Sequence, residues 1–141
     1  MNSFVIANPN KCLGCRTCEI ACVDAHTEKN IFIGDKDIEN FNPRLTVIKI
    51  AGISAPVQCR QCEDAACLKA CPNGSITMED GLVKINRTTC IGCKTCVVAC
   101  PFGAMTMAEE VVNKKVKIVA NKCDLCFGRE AGPACVEICP T

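Results

Sequence analysis

The sequence has no tryptophan, no tyrosine, one histidine and five phenylalanines among 141 residues. A core built on aromatic bulk is therefore excluded, although a chain of this length normally buries about two thirds of its unfolded surface. An excess of one charge is also missing. Sixteen basic residues stand against 15 acidic ones, a formal +1 that is too balanced to suggest a nucleic-acid partner. No stretch approaches the roughly 18 apolar residues of a membrane span. Residues 1–10 (MNSFVIANPN) have neither the basic start nor the apolar run of a secretory signal, so a cytoplasmic protein is expected, where disulfides are rare. There is no phosphate-binding glycine loop, and the one histidine, His26, has no paired acid at a recognisable spacing. A surface or helix-end role suits it better than catalysis, and no substrate chemistry is visible.

What is present is cysteine, at 16 of 141 residues. These fall into four runs of four. Runs one (Cys12, Cys15, Cys18, Cys22) and three (Cys90, Cys93, Cys96, Cys100) are both C-x2-C-x2-C-x3-C. Run two (Cys59, Cys62, Cys67, Cys71) is C-x2-C-x4-C-x3-C, and run four (Cys123, Cys126, Cys135, Cys139) is C-x2-C-x8-C-x3-C. Each keeps the first pair and the last spacing while the middle loop changes length. Structural zinc uses two C-x2-4-C pairs across a longer loop and does not require this triple-plus-one rhythm. Haem attachment needs a histidine directly after C-x2-C, and a radical-SAM site needs C-x3-C-x2-C; neither occurs. Iron–sulfur cubanes remain, and the count implies four 4Fe-4S clusters with iron held by all sixteen cysteines.

Three cysteines separated by two-residue gaps can wrap one cubane, whereas the fourth, on a short helix three residues further on, reaches the neighbouring cluster in two-cluster ferredoxins. Runs two, three and four end in Cys-Pro, which stops the helix at the ligand. Run one continues into Val23, so its helix is expected to run on through Asp24 and Ala25. Between runs two and three, Ser75–Met78 and Leu82–Ile85 flank Glu79-Asp80-Gly81 as a hairpin. By the crossover rule Cys59, Cys62, Cys67 and Cys100 hold one cluster, and Cys90, Cys93, Cys96 and Cys71 its neighbour. Runs one and four then partner each other in a nested arrangement. Cys12, Cys15, Cys18 and Cys139 hold a third cluster, and Cys123, Cys126, Cys135 and Cys22 a fourth.

The fold class that follows is α+β: two pseudo-symmetric bacterial-ferredoxin-like domains, with small β-hairpins and short helices around the clusters. The outer domain comprises residues 1–56 plus 108–141 and the inserted one residues 57–107. Further strands are expected at Ser3–Ala7, Arg44–Ile50 and Ala104–Met107, with a hairpin of Val111-Val112 and Val116–Ala120. Helices are expected at Thr17–Ala25, Ala65–Ala70, Thr95–Ala99 and Pro133–Ile138. Leu13-Gly14-Cys15-Arg16-Thr17-Cys18 and Ile91-Gly92-Cys93-Lys94-Thr95-Cys96 match almost position for position, the mark of a duplicated half. Gly14 and Gly92 either admit backbone amides to cluster sulfur or serve a tight turn. Lys11, Arg16, Arg60, Lys94 and Lys122 sit beside ligands and read as a solvated face, the alternative being that they raise cluster potentials or meet a partner. Phe102 and Phe127 either shield a cluster or pack in the core.

Cys59-Arg60-Gln61-Cys62-Glu63-Asp64, the segment Ile91–Pro101 and Asn121-Lys122-Cys123-Asp124-Leu125-Cys126 together resemble the 4Fe-4S electron-transfer subunits of formate hydrogenlyase and related formate dehydrogenase–hydrogenase complexes, across nearly the whole chain. The resemblance implies a polyferredoxin of anaerobic metabolism that is not an enzyme by itself. It would carry electrons between a formate dehydrogenase catalytic subunit and a hydrogenase subunit, with a second polyferredoxin subunit as a further partner; among such complexes a hydrogen-dependent carbon dioxide reductase is favoured. The alternative is a polyferredoxin serving carbon monoxide dehydrogenase or another molybdopterin reductase. Relatives that replace one ligand with tryptophan hold a smaller cluster, and no position here shows that change. After run four the sequence stops at Pro140-Thr141 without the strand that follows runs two and three, so either a trimmed part of a longer protein or an edge supplied by a partner is expected, the former being favoured. A body of this length has a radius of gyration of about 14 Å, which makes four cubanes close neighbours and an electron wire physically reasonable. Sixteen thiolates and four oxidised cubane cores would carry the formal +1 to about −7.

Overall fold

The computed structural model describes residues 3–27 and 41–141. Four helices and three antiparallel hairpins alternate along them, as the α+β reading expects. Helix α1 spans Thr17–Ala25, strands β1 and β2 span Leu45–Ile50 and Ile53–Gln58, and α2 spans Ala66–Ala70. Strands β3 (Ile76–Glu79) and β4 (Leu82–Ile85) follow, then α3 (Thr95–Ala99), β5 (Thr106–Val112), β6 (Lys115–Asn121) and α4 (Ala134–Ile138).

Each hairpin is a separate two-stranded sheet closed by a two-residue turn. Ala51-Gly52, Asp80-Gly81 and Asn113-Lys114 all take positive φ at both positions, the conformation whose twist matches the strands on either side. The first of these hairpins goes beyond the sequence reading, which expects β1 but not its partner β2. Conversely, Ser3–Ala7 is not a strand. The Val5 carbonyl accepts a hydrogen bond from the Gln58 side chain at 3.1 Å instead of entering a ladder. Strand β5 is continuous where two separate pieces are expected, because Ala108 turns into the core and Glu109 out to water on either side of one pleat.

The helices obey the Cys-Pro rule. Helices α2, α3 and α4 end one residue before Cys71, Cys100 and Cys139, whose ψ values of 114°, 114° and 123° are the extended geometry that a following proline imposes. Helix α1, with Val23 in place of proline, continues to Ala25 and buries Cys22 within its length. Helix α1 packs against α4, and α2 against α3. One apolar cluster joins Ala65, Ile76, Val83, Cys90, Cys96, Met105, Val119 and Ala120; a smaller one joins Cys22, Leu45 and Val47, with Cys18 and Cys135 against it. Cysteine thus occupies core positions that large side chains usually fill. Strand β6 starts exposed at Lys115 and ends buried at Val119, Ala120 and Asn121, carrying the chain inward to Lys122 and Cys123. No helix among the described residues is long and apolar enough to cross a membrane.

Candidate metal centres

The backbone around the cysteines repeats in pairs. In runs one and three, Gly14 and Gly92 take φ of 66° and 71°, and the helix caps Arg16 and Lys94 are left-handed at 62° and 65°. In each, a threonine hydroxyl donates to the middle sulfur at 3.3 Å, Thr17 to Cys15 and Thr95 to Cys93. Runs two and four turn differently: Gln61 and Leu125 are left-handed, and their N–H groups donate to Cys59 and Cys123 sulfur at 3.4 Å. Hydrogen bonds of this kind favour the thiolate, the form that binds metal.

Three hollows collect cysteines from different runs. One is lined by Cys90, Cys93 and Cys96 together with Cys71. A second is lined by Cys59, Cys62 and Cys67 together with Cys100. A third, wider one is lined by Cys12, Cys15 and Cys18 with Cys135 and Cys139. The remaining group is buried more deeply. Burial pushes the Cys22 thiol up to about 12, and the neighbouring Cys123 and Cys126 add to the rise. Cys135 is pushed up to about 11 by burial, again with Cys123 and Cys126 contributing. A set of soft sulfur donors, three from one run with a fourth from another, suits iron–sulfur clusters better than zinc.

The last cysteines of runs one, two and four each have their own provision. Burial at Cys71 opposes ionisation, but N–H groups of Asn73, Ser75 and Ile76, where the chain turns back after Pro72, bring its pKa below the ordinary thiol value. The Cys22 sulfur accepts the Arg44 N–H at 3.3 Å. At Cys139 the Thr141 hydroxyl lowers the thiol pKa. The glycines have a steric use as well: a β-carbon at Gly92 would lie 2.5 Å from the Ile118 carbonyl oxygen, and one at Gly14 would lie 3.2 Å from the Ser54 side chain.

Several supporting residues have no signal in the sequence. His26 caps α1 and lies 2.8 Å by Nε2 from Asp124, a residue 98 positions away, which explains why no local spacing reveals the pair. Arg44 binds the other Asp124 oxygen at 2.6 Å, and the Cys126 N–H donates at 3.0 Å to the oxygen that faces His26. Burial acts to raise the Asp124 pKa, but His26 and the Arg44 charge prevail and hold it at about 2. His26, Asp124 and Cys126 bring donor atoms within 4.8 Å of one another, so this network forms one wall of the Cys123 group. Glu19 and Gln61 are buried tethers: Glu19 accepts the Val47 N–H at 2.6 Å, while Gln61 accepts that of Val83 at 2.9 Å and donates to the Cys123 carbonyl at 2.7 Å. Phe102 and Phe127 are 43% and 60% exposed, so neither is a core residue. They stack with Arg60 at 4.9 Å and Lys84 at 3.9 Å. Of the five basic residues read as a solvated face, Lys11, Arg16, Arg60 and Lys94 are exposed, but Lys122 is buried, 4% exposed.

Comparison with known proteins gives the same chemistry. The 4Fe-4S dicluster domain matches residues 50–141, and a 4Fe-4S binding domain matches residues 9–23. The electron transport protein HydN of Escherichia coli (strain K12) is 51% identical over 154 residues, covering all of this chain and 85% of HydN. An iron-sulfur protein of Rhodospirillum rubrum is 44% identical over 151 residues, 99% of this chain and 79% of the relative. AegA of Escherichia coli (strain K12), which carries the name of an oxidoreductase, is 52% identical over 141 residues, but this chain spans only 21% of its length. The cysteines of this chain hold multiple 4Fe-4S clusters.

Proposed function

Since the chain belongs to the 4Fe-4S dicluster domain family, we propose that it is an electron-carrying subunit, passing single electrons through four 4Fe-4S clusters between a formate dehydrogenase and a hydrogenase. The observation that carries the reading is the lining of the hollows, where three cysteines of one run meet the last cysteine of another. Each cluster, once bound, accepts and releases one electron without a bond being made at a substrate. The protein's part is to supply thiolates, direct N–H and hydroxyl groups at sulfur, and keep the groups close.

In this proposal Cys90, Cys93, Cys96 and Cys71 hold one cluster, and Cys59, Cys62, Cys67 and Cys100 the next. Cys123, Cys126, Cys135 and Cys22 hold a third, and Cys12, Cys15, Cys18 and Cys139 a fourth. Cys139 lines the last hollow with Cys12, Cys15 and Cys18, which supports its place there, and Cys135 lines it as well. The division into an outer unit (1–56 plus 108–141) and an inserted unit (57–107) belongs to the same proposal. The pairing of α1 with α4 and of α2 with α3 supports it, although Val119 and Ala120 of β6 pack into the inserted unit's core. A cytoplasmic, anaerobic setting goes with it.

Cys71→Ala tests the ligand exchange: the cluster held mainly by Cys90, Cys93 and Cys96 should be perturbed, and spectroscopic loss of the Cys59, Cys62 and Cys67 cluster instead would refute the assignment. Anaerobic co-purification tests the partners. Formate dehydrogenase or hydrogenase polypeptides should accompany the native protein, and elution without either defeats that role. A second reading, a carrier for a different redox enzyme, is favoured by the match to one fifth of AegA. Recovery with another oxidoreductase would establish it.

A further inference from the structure

Lys122 is set apart from the other basic residues beside the ligand runs. Lys11, Arg16, Arg60 and Lys94 face water, where their charges are screened, while Lys122 is 4% exposed. Among the described residues no carboxylate forms an ion pair with it. Its ammonium donates to two neutral acceptors, the Cys123 carbonyl at 2.7 Å and Gln61 Oε1 at 3.4 Å. Burying an ammonium without a counter-charge is costly, so a buried lysine calls for an anion.

The surroundings offer sulfur. Lys122 lines the hollow of Cys59, Cys62, Cys67 and Cys100, and it directly precedes Cys123 of the buried group. Gln61, between Cys59 and Cys62, donates to the Cys123 carbonyl at 2.7 Å, so the two groups adjoin at Lys122. Asp124, the nearest acid in sequence, is committed to Arg44 and His26. The hollow of Cys90, Cys93, Cys96 and Cys71 and that of Cys12, Cys15 and Cys18 have basic neighbours in Lys94 and Arg16, both exposed.

We propose that Lys122 is the shared counter-charge of the two clusters that adjoin it, held by the Cys59 group and the Cys123 group, raising both reduction potentials relative to the outer two. The inference rests on the four-cluster reading above. Adding an electron places negative charge beside a fixed positive one in a poorly screened interior, so the reduced state of both inner clusters is favoured. Electrons entering at either outer cluster then settle at the junction before leaving.

The test is a potentiometric titration of the anaerobically purified holoprotein, followed by electron paramagnetic resonance, comparing wild type with Lys122→Met and Lys122→Arg. In Lys122→Met, two of the reductions should become at least about tenfold less favourable, equivalent to about 59 mV for one electron, and the other two should stay in place. Lys122→Arg, which keeps the charge, should titrate like wild type. Unchanged potentials in fully loaded Lys122→Met overturn the role of Lys122 and leave the electron-carrying reading standing. Equal displacement in both variants also overturns it, since packing rather than charge would then be responsible. A wild-type iron content far below about sixteen per chain defeats the four-cluster reading instead. Should Lys122→Met fail to retain iron, Gln61→Glu takes its place by setting a carboxylate beside the ammonium; it must lower the same two potentials, and unchanged values overturn the proposal.

Discussion

At Gly92 two requirements meet on one α-carbon: a left-handed φ of 71° and a carbonyl oxygen where a β-carbon would stand. Gly14 repeats the conformation, but a β-carbon there would meet the Ser54 side chain at the longer distance of 3.2 Å, and Gly128 has a φ of 87° with nothing within 4 Å. Alanine at the three sites should therefore destabilise the holoprotein in the order Gly92, Gly14, Gly128. Gly128→Ala should bear only the conformational cost of about 1–2 kcal/mol, and thermal denaturation with iron retained is the measurement. Alanine at Gly92 no worse than at Gly128 would remove the Ile118 contact from the account. Asp124 is decisive in another way, because its carboxylate binds His26, Arg44 and the Cys126 N–H together. Asp124→Asn keeps the shape but loses the charge, and should cost about 1.5–3 kcal/mol in denaturant unfolding of the holoprotein, with earlier iron release. The glycines are visible in the sequence through their place in a repeated motif. The Asp124 network is not, since His26 and Arg44 approach it from distant parts of the chain.

Among the elements, the contrast between α1 and the other helices has a one-residue cause. Proline after Cys71, Cys100 and Cys139 leaves those cysteines in extended backbone, whereas Val23 lets α1 carry Cys22 inside a helix that ends against Asp124 through His26. Val23→Pro should end α1 early, remove one helical donor and withdraw His26. A loss of about 3 kcal/mol or more is expected, seen as reduced helical circular dichroism and weaker cluster retention; unchanged helicity would contradict it. The helices were legible because punctuation by proline and glycine is local. Strand β2 was harder to read, because Ile53–Gln58 contains Pro56 and alternates poorly, and its pairing with β1 depends on the Ala51-Gly52 turn. Strand β5 was hidden by Glu109 and Glu110, residues of low strand propensity that the long partner β6 overrides. The solvated-face reading of Lys122 failed for a related reason. At the end of β6 the chain turns inward for five consecutive buried residues, from Val119 to Cys123, and no periodicity announces that.

For the whole molecule, the shortage of aromatic residues has a thermodynamic consequence. The smaller core cluster contains only Leu45, Val47 and cysteines, so metal binding there must supply cohesion that apolar contacts lack. Cys22 and Cys135, pushed up by burial to about 12 and about 11, are protonated without metal, which couples loading to proton release. Stripping iron with a chelator under reducing conditions should abolish the cooperative thermal transition of the region built on α1, α4 and β1, where a metal-free chain that melts like the holoprotein would contradict the account. The cysteine runs and their crossed lining of the hollows lead to one central claim: sixteen cysteines hold four cubanes, three ligands from one run and one from another. Native mass spectrometry of the anaerobically purified protein tests it most directly. The account predicts a chain carrying four Fe4S4 units, about sixteen irons and sixteen inorganic sulfides; a fully loaded chain with two such units, or with zinc in their place, would contradict it.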